Sequence, residues 1–245
     1  MRVYYPEGAG PFPCLVYFHG GGWVTLSVAA CDPTIRALAN STGCAVVAVA
    51  YRKAPEHRFP AAVDDAWAAT SWVRLHADEL RLDPERIAVV GESAGGNLAA
   101  VTALRARDEP GFALRCQVLV CPVTDTGTET RSYRDHAEGY LLQRESMRWF
   151  FGHYLGNSTD ADDHRVSPLR AADVANLPPA FIATAEYDPL RDDGRRYAER
   201  LRAAGVPTEH RDYPAVHGFG LMRGVLGVSD LLYRDIAAEV RQRMA

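Results

Sequence analysis

A serine set between small residues, Gly91-Glu92-Ser93-Ala94-Gly95, directly follows the apolar run Ile87-Ala88-Val89-Val90 and directly precedes Gly96-Asn97-Leu98-Ala99-Ala100-Val101, which has helical character. So sharp a strand-to-helix turn exposes the serine hydroxyl and strains its backbone, the setting in which serine becomes a nucleophile toward a carbonyl carbon. Alone the five-residue pattern is weak, because a glycine-rich turn whose serine merely caps the next helix reads the same. A second motif removes most of that ambiguity: His19-Gly20-Gly21-Gly22-Trp23 closes the apolar run Cys14-Leu15-Val16-Tyr17-Phe18. Three successive glycines let backbone N–H groups converge on one point, which a developing oxyanion needs and Cβ atoms would obstruct. Both motifs stand at the carboxyl ends of strands, where open α/β sheets build their sites.

A nucleophilic serine needs a base to take its proton and an acid to hold that base in one tautomer. Glu186-Tyr187-Asp188-Pro189-Leu190 follows the apolar run Ala180 to Ala185, and Asp188 stands nearest the strand's end without lying in it. The competing acids Glu186, Asp192 and Asp193 read as a solvated helix start. His217-Gly218-Phe219 follows the last strand, in a loop beginning at Pro214. Of the other histidines, His210 falls within a strand and His76 on an exposed-looking helix, while His19, His57, His136, His153 and His164 precede the acid or lie in an insertion. The candidate catalytic residues are therefore Ser93, Asp188 and His217.

Apolar runs of strand length alternate with helical segments almost from end to end, the pattern of repeated β-α units around a mostly parallel sheet flanked by helices. The expected strands are Cys14 to Phe18, Ala45 to Ala50, Ile87 to Val90, Gln117 to Cys121, Ala180 to Ala185 and Glu209 to Tyr213. Ala45 to Ala50 is apolar throughout, as befits a strand covered on both faces in the middle of the sheet. Helix starts are signalled at Asp32-Pro33, at Pro60 and at Asp192-Asp193. Residues 1–245 read as a single α/β domain. Thr124 to Pro179 is too long for a simple crossover and reads as a lid-like or helical insertion, with a helix at Ser146 to Leu155 and a polar stretch from Asn157 to Asp163; such segments cover a site or move. Asp160, Asp162, Asp163 and His164 lack helical ligand spacing and read as a solvated face rather than a metal site.

The 245 residues carry a net charge of −4 and are 47% hydrophobic and 24% charged, without a run of five or six like charges. That balance lacks the basic footprint of a nucleic-acid binder. The start lacks the apolar core of a signal peptide, and no apolar stretch reaches the length of a membrane span, so the expected setting is cytoplasmic with no membrane partner. Five cysteines, odd in number and mostly within apolar runs, read as packed free thiols.

These residues together resemble the bacterial hormone-sensitive-lipase-like branch of the α/β-hydrolases, which comprises carboxylesterases and lipases. The resemblance runs from about Val3 to the end and rests on His19-Gly20-Gly21-Gly22-Trp23, Tyr51 to Ala62, Gly91 to Ala99, Ser167-Pro168-Leu169, Leu177 to Ala180, Asp188 to Asp192 and His217-Gly218-Phe219. The order serine, acid, histidine is that of α/β-hydrolase triads. The resemblance implies Ser93 as nucleophile, His217 as base, Asp188 as its orienting acid, and the N–H groups of Gly21, Gly22 and Ala94 as the oxyanion hole. It also implies a small-molecule ester of short or medium acyl length as substrate, no cofactor or metal, and a possible homodimer. An amidase or peptidase would use the same triad. A ligand-binding protein on this scaffold, as among plant hormone receptors related to the family, typically loses a triad member, whereas all three stand here.

Three departures from the family pattern matter. Only 18 residues precede His19, so the usual N-terminal cap and first strands are expected to be missing, leaving an open site with exposed apolar walls and weakened binding, activity or folding. Leu26 and its neighbours lack a glycine often found after the tryptophan, which should alter the loop's packing. Glu92 stands where aspartate is more usual. The loop Tyr51 to Pro60 is expected to be fixed by ion pairs of Arg52 and Glu56 rather than to wall the pocket.

Overall fold

A computed structural model describes residues 1–156 and 161–245; Asn157 to Asp160, part of the polar stretch noted above, lie outside the described residues. Seven strands form one sheet: β1 (Arg2–Tyr4), β2 (Phe12–Phe18), β3 (Ala45–Val49), β4 (Leu82–Glu92), β5 (Gln117–Val120), β6 (Ala180–Tyr187) and β7 (Thr208–Val216). Their order is β1-β3-β2-β4-β5-β6-β7, parallel throughout except for β1, which runs antiparallel to β3. Every expected strand is present within a few residues of its expected bounds. β4 is longer, because Leu82 pairs with Phe12 ahead of a register shift that the charged segment around Pro84 hides from the pattern. β1 has no counterpart among the expected strands, because three residues of mixed polarity carry no period. β3 is interior but next to the edge rather than central, with the short β1 covering its outer side.

Alternate side chains along the strands feed two cores. Val16 and Phe18 join Val47, Leu98, Ile182 and Leu201 on one face; Leu15 and Tyr17 join Val46, Ile35, Leu38 and Ile236 on the other. The first face is covered by α2 (Ala61–Leu75), α3 (Ala94–Asp108) and, later in the chain, α6 (Arg191–Ala203), the second by α1 (Asp32–Thr42) and α7 (Gly227–Met244). The three signalled helix starts each fall within a residue of an observed one. α3 is buried along almost its whole length, which its run of Ala and Gly permits by letting its backbone lie close to the sheet.

Between β5 and β6 the chain forms a short α4 (Arg131–Asp135), α5 (Arg144–Leu155) and a 3₁₀ turn at Pro168–Arg170. This segment is tied to the sheet by buried polar bonds. Asn97 Nδ2 donates to the carbonyls of Val123 (3.0 Å) and Val166 (2.8 Å), and Asp193 accepts from the backbone N–H groups of Thr124 and Asp125 at 3.2 and 3.3 Å. Asp193 is fully buried and Asp192 accepts from the Ser132 N–H at 2.9 Å, so these two acids are anchors of the insertion and not a solvated helix start. Asp125, itself buried, pairs with Arg170 and Arg196. Asp163 pairs with Arg165, and Asp162 with Arg170. The expected role of Glu56 also needs correction: Arg52 pairs with Asp65 of α2 at 2.7 Å, while Glu56 is exposed.

Asn97→Ala strands two buried carbonyls and should cost about 2 kcal/mol, which lowers the melting temperature of a chain this size by roughly 4–8 °C. Thermal unfolding followed by circular dichroism checks this; an unchanged midpoint would show that the Asn97 bonds do not hold the segment.

Candidate active site

Parallel strands put their carboxyl ends on one edge, and the residue after each becomes a neighbour of the others. Ser93 follows β4, Asp188 follows β6 and His217 follows β7. The structure brings all three together. Ser93 Oγ lies 3.0 Å from His217 Nε2, and His217 Nδ1 lies 2.7 Å from Asp188 Oδ2. Asp188 is fully buried, and its other oxygen accepts the Leu190 N–H at 2.9 Å, which locks the carboxylate plane. The acceptor on Nδ1 fixes the tautomer that leaves Nε2 free to receive the serine proton.

Ser93 sits at φ 59°, ψ −120°, a conformation unfavourable for a residue with a Cβ. It is held by its N–H to the Val120 carbonyl at 2.8 Å and by its own carbonyl, which accepts from Asn97 N at 3.0 Å. The flanking glycines are required by contact: a Cβ on Gly91 would strike the Gly95 carbonyl, and one on Gly95 the Phe18 carbonyl. Gly22 has φ +59°, and a Cβ there would collide with the Phe150 ring. Gly21 and Gly22 line the pocket beside Ser93, and Ala94 opens α3, where a helix presents free N–H groups.

The loop bearing the glycines is braced by residues whose part was not read from sequence. The Tyr51 hydroxyl donates to the His19 carbonyl at 2.8 Å, and its ring stacks on the His19 ring at 4.3 Å. Trp23 stacks on Tyr154 of α5 at 4.2 Å, with Phe59 edge-on to the same tyrosine. Thus Tyr51 to Pro60 supports the glycine loop from beneath. Leu26 has φ +59°, where glycine would be unstrained; its side chain lines the pocket, and its carbonyl accepts from Lys53 Nζ at 2.6 Å.

The cavity over Ser93 is about 570 Å³. One wall comes from the insertion, through Leu142, Met147, Trp149 and Phe150, and another from Leu221. Leu26, Leu141, Trp149 and Leu221 remain 38% to 66% exposed, so the apolar walls are open to solvent at the rim. Burial drags the His217 ring toward a lower pKa, but the Asp188 carboxylate, by charge and hydrogen bond, with help from Glu92, outweighs it and leaves the ring above its ordinary value. Cys121 Sγ lies with Asp188 and His217 donor atoms within 4.8 Å of one another. That trio has metal-ligand types, yet the 2.7 Å bond commits His217 Nδ1 to Asp188. The thiol is held protonated, first by burial and then by the neighbouring carboxylates.

Such an arrangement can carry out acyl transfer: a hydroxyl with a base, a base with an orienting anion, and backbone donors beside the reacting carbon. The base must be neutral to act. Lowering the pH through the folded-state pKa of His217 therefore switches the reaction off, and kcat/KM should fall on the acid side with a midpoint above the ordinary imidazole value of 6.5. A pH–rate profile checks this; a midpoint below that value contradicts the Asp188 pairing.

Comparison with known proteins agrees with this fold. A family model described as alpha/beta hydrolase fold matches residues 15–221. The carboxylesterase NlhH of Mycobacterium tuberculosis is 46% identical over 225 residues, covering 89% of this chain and 70% of that protein. An arylesterase of Saccharolobus solfataricus is 41% identical, covering 89% of this chain and 72% of its own length. Among solved structures, the thermostable carboxylesterase EstE1 from a metagenomic library superposes with a TM-score of 0.97 at 42% identity, covering all of this chain and 84% of the other. The chain belongs to the α/β-hydrolase family, in its hormone-sensitive-lipase-like branch.

Proposed function

We propose that the protein is a serine carboxylesterase acting on short- to medium-chain esters. The observation that carries this reading is the continuous relay from Ser93 Oγ through His217 to Asp188 at 3.0 and 2.7 Å, at the floor of an apolar cavity. Ser93 Oγ bonds to the ester carbonyl carbon while its proton passes to His217 Nε2. The carbonyl electron pair moves to oxygen, which the N–H groups of Gly21, Gly22 and Ala94 receive. Collapse breaks the C–O bond to the alcohol, which leaves with the proton from Nε2. Water then repeats the two steps on the acyl-enzyme and frees Ser93. Asp188 remains ionised and stabilises the imidazolium.

The cavity supports an apolar acyl or alcohol group. Its volume of about 570 Å³, with Leu142, Met147 and Phe150 among its walls, is shared between both halves of the ester, which favours acetate to octanoate over longer chains. Five buried, unpaired cysteines suit a reducing, cytoplasmic setting. A homodimer is part of the same reading, and light scattering of the purified chain tests it.

Hydrolysis of p-nitrophenyl acetate, butyrate, octanoate and laurate should be readily measured and fall off at laurate. Ser93→Ala should lose about 10⁴-fold or more in kcat without loss of folding. Equal rates for the variant and the wild type would overturn the nucleophile assignment, and faster cleavage of a matched anilide would favour an amidase.

A further inference from the structure

Glu92 is a buried carboxyl group that the reaction above does not use. It ends β4 directly ahead of Ser93 and is 6% exposed, and its Oε1 is enclosed without a hydrogen-bond partner among the described residues. Its two oxygens lie against Gly220, in the turn that follows His217, close enough that a Cβ on that glycine would sit 3.4 Å from each. Glu92 lines both the catalytic cavity and a small space of about 20 Å³ that it shares with Tyr17, Gly220 and Tyr233.

No cation accompanies this carboxyl among the described groups that face it. From β2 comes Tyr17, whose hydroxyl meets the Cys31 thiol. Cys31 approaches from ahead of α1, and Cys121 from the end of β5. Tyr233 of α7 faces it too, but gives its hydroxyl to the Gly220 carbonyl and carries the Arg223 guanidinium over its ring. The remaining neighbours are Asp188 and His217. Of these, only the His217 ring becomes a cation during catalysis. Burial pushes the Glu92 carboxyl up to about 7, with His217 pulling it down and Asp188 adding to the rise.

We propose that Glu92 is a positioning residue for the hydrolysis: a second carboxylate beneath the His217 turn whose charge favours the imidazolium formed when Ser93 attacks. This rests on the esterase reading of the site. Asp188 orients the ring through Nδ1, and Glu92 acts on it through its charge, in a buried setting that screens less than water. Leaving a carboxyl group buried without a partner works against stability, a cost consistent with a role in the reaction. The interaction is mutual. The interaction works against double protonation: a proton on either group makes the other harder to protonate, so the acid side of the pH–rate profile belongs to the pair and is broader than for one proton.

The test is the pH dependence of p-nitrophenyl butyrate hydrolysis by wild type, Glu92→Gln and Glu92→Asp, with cooperative melting as the check on folding. Glu92→Gln should move the acid midpoint of kcat/KM down by roughly half a pH unit or more, and make that limb follow a single proton. Its plateau kcat should fall about tenfold with KM within about twofold. Glu92→Asp keeps the charge and should lie between the two. Should Glu92→Gln fail to fold, the Glu92→Asp limb decides, by moving in the same direction or staying in place. Midpoint and slope identical to the wild type overturn the proposal even where rates fall, since a loss of packing changes rates without moving the limb. Such a result leaves the esterase reading intact, because that reading stands or falls on Ser93→Ala.

Discussion

The backbone of Ser93, at φ 59° and ψ −120°, persists only because its surroundings leave the chain no alternative. β4 enters the turn already paired to β5 through Glu92 and Val120. α3 leaves it with its first turn so close to β2 that Gly95 has no room for a Cβ. The strain is therefore met by two hydrogen-bonded elements on either side, and the hydroxyl is left standing clear of both. His217 and Asp188 need only arrive on the same sheet edge, which parallel strands guarantee.

A second constraint aligns the opposite wall. The Trp23–Tyr154 stack, closed by Phe59, joins the glycine loop, the segment Tyr51 to Pro60 and α5 of the insertion. Trp23 and Tyr154 are fully buried, so the oxyanion loop and the helix that walls the pocket cannot shift independently. This places Phe150 against Gly22, and both residues line the pocket beside Ser93. The insertion is in turn moored by Asn97 and Asp193, polar groups buried in the body of the fold.

What could be read beforehand was local. Ser93, the glycine loop, Asp188 and His217 each follow an apolar strand at its carboxyl end, so a strand period of two and short polar signals are enough to gather them. β1 escaped because three residues carry no period, and the near-edge place of β3 because apolarity reports covered faces and not neighbours. Asp193 reads as solvated because an acid at a helix start is usually exposed; the Thr124 and Asp125 N–H groups that donate to it lie 69 and 68 residues away. Tyr51 was hidden for the same reason, its partner being 32 residues distant. For Glu92 the motif shows an unusual residue, and only the packing of α1 and α7 against the sheet shows that no lysine or arginine among the described residues is paired with it.

The account's central claim is that Ser93 is made nucleophilic by His217. Its most direct measurement is mass spectrometry after treating the chain with diethyl p-nitrophenyl phosphate. One diethylphosphoryl group should appear, on the peptide carrying Ser93, with release of p-nitrophenolate, and His217→Ala should take it up far more slowly. Labelling at another residue, or equal labelling of the His217→Ala chain, would contradict the account.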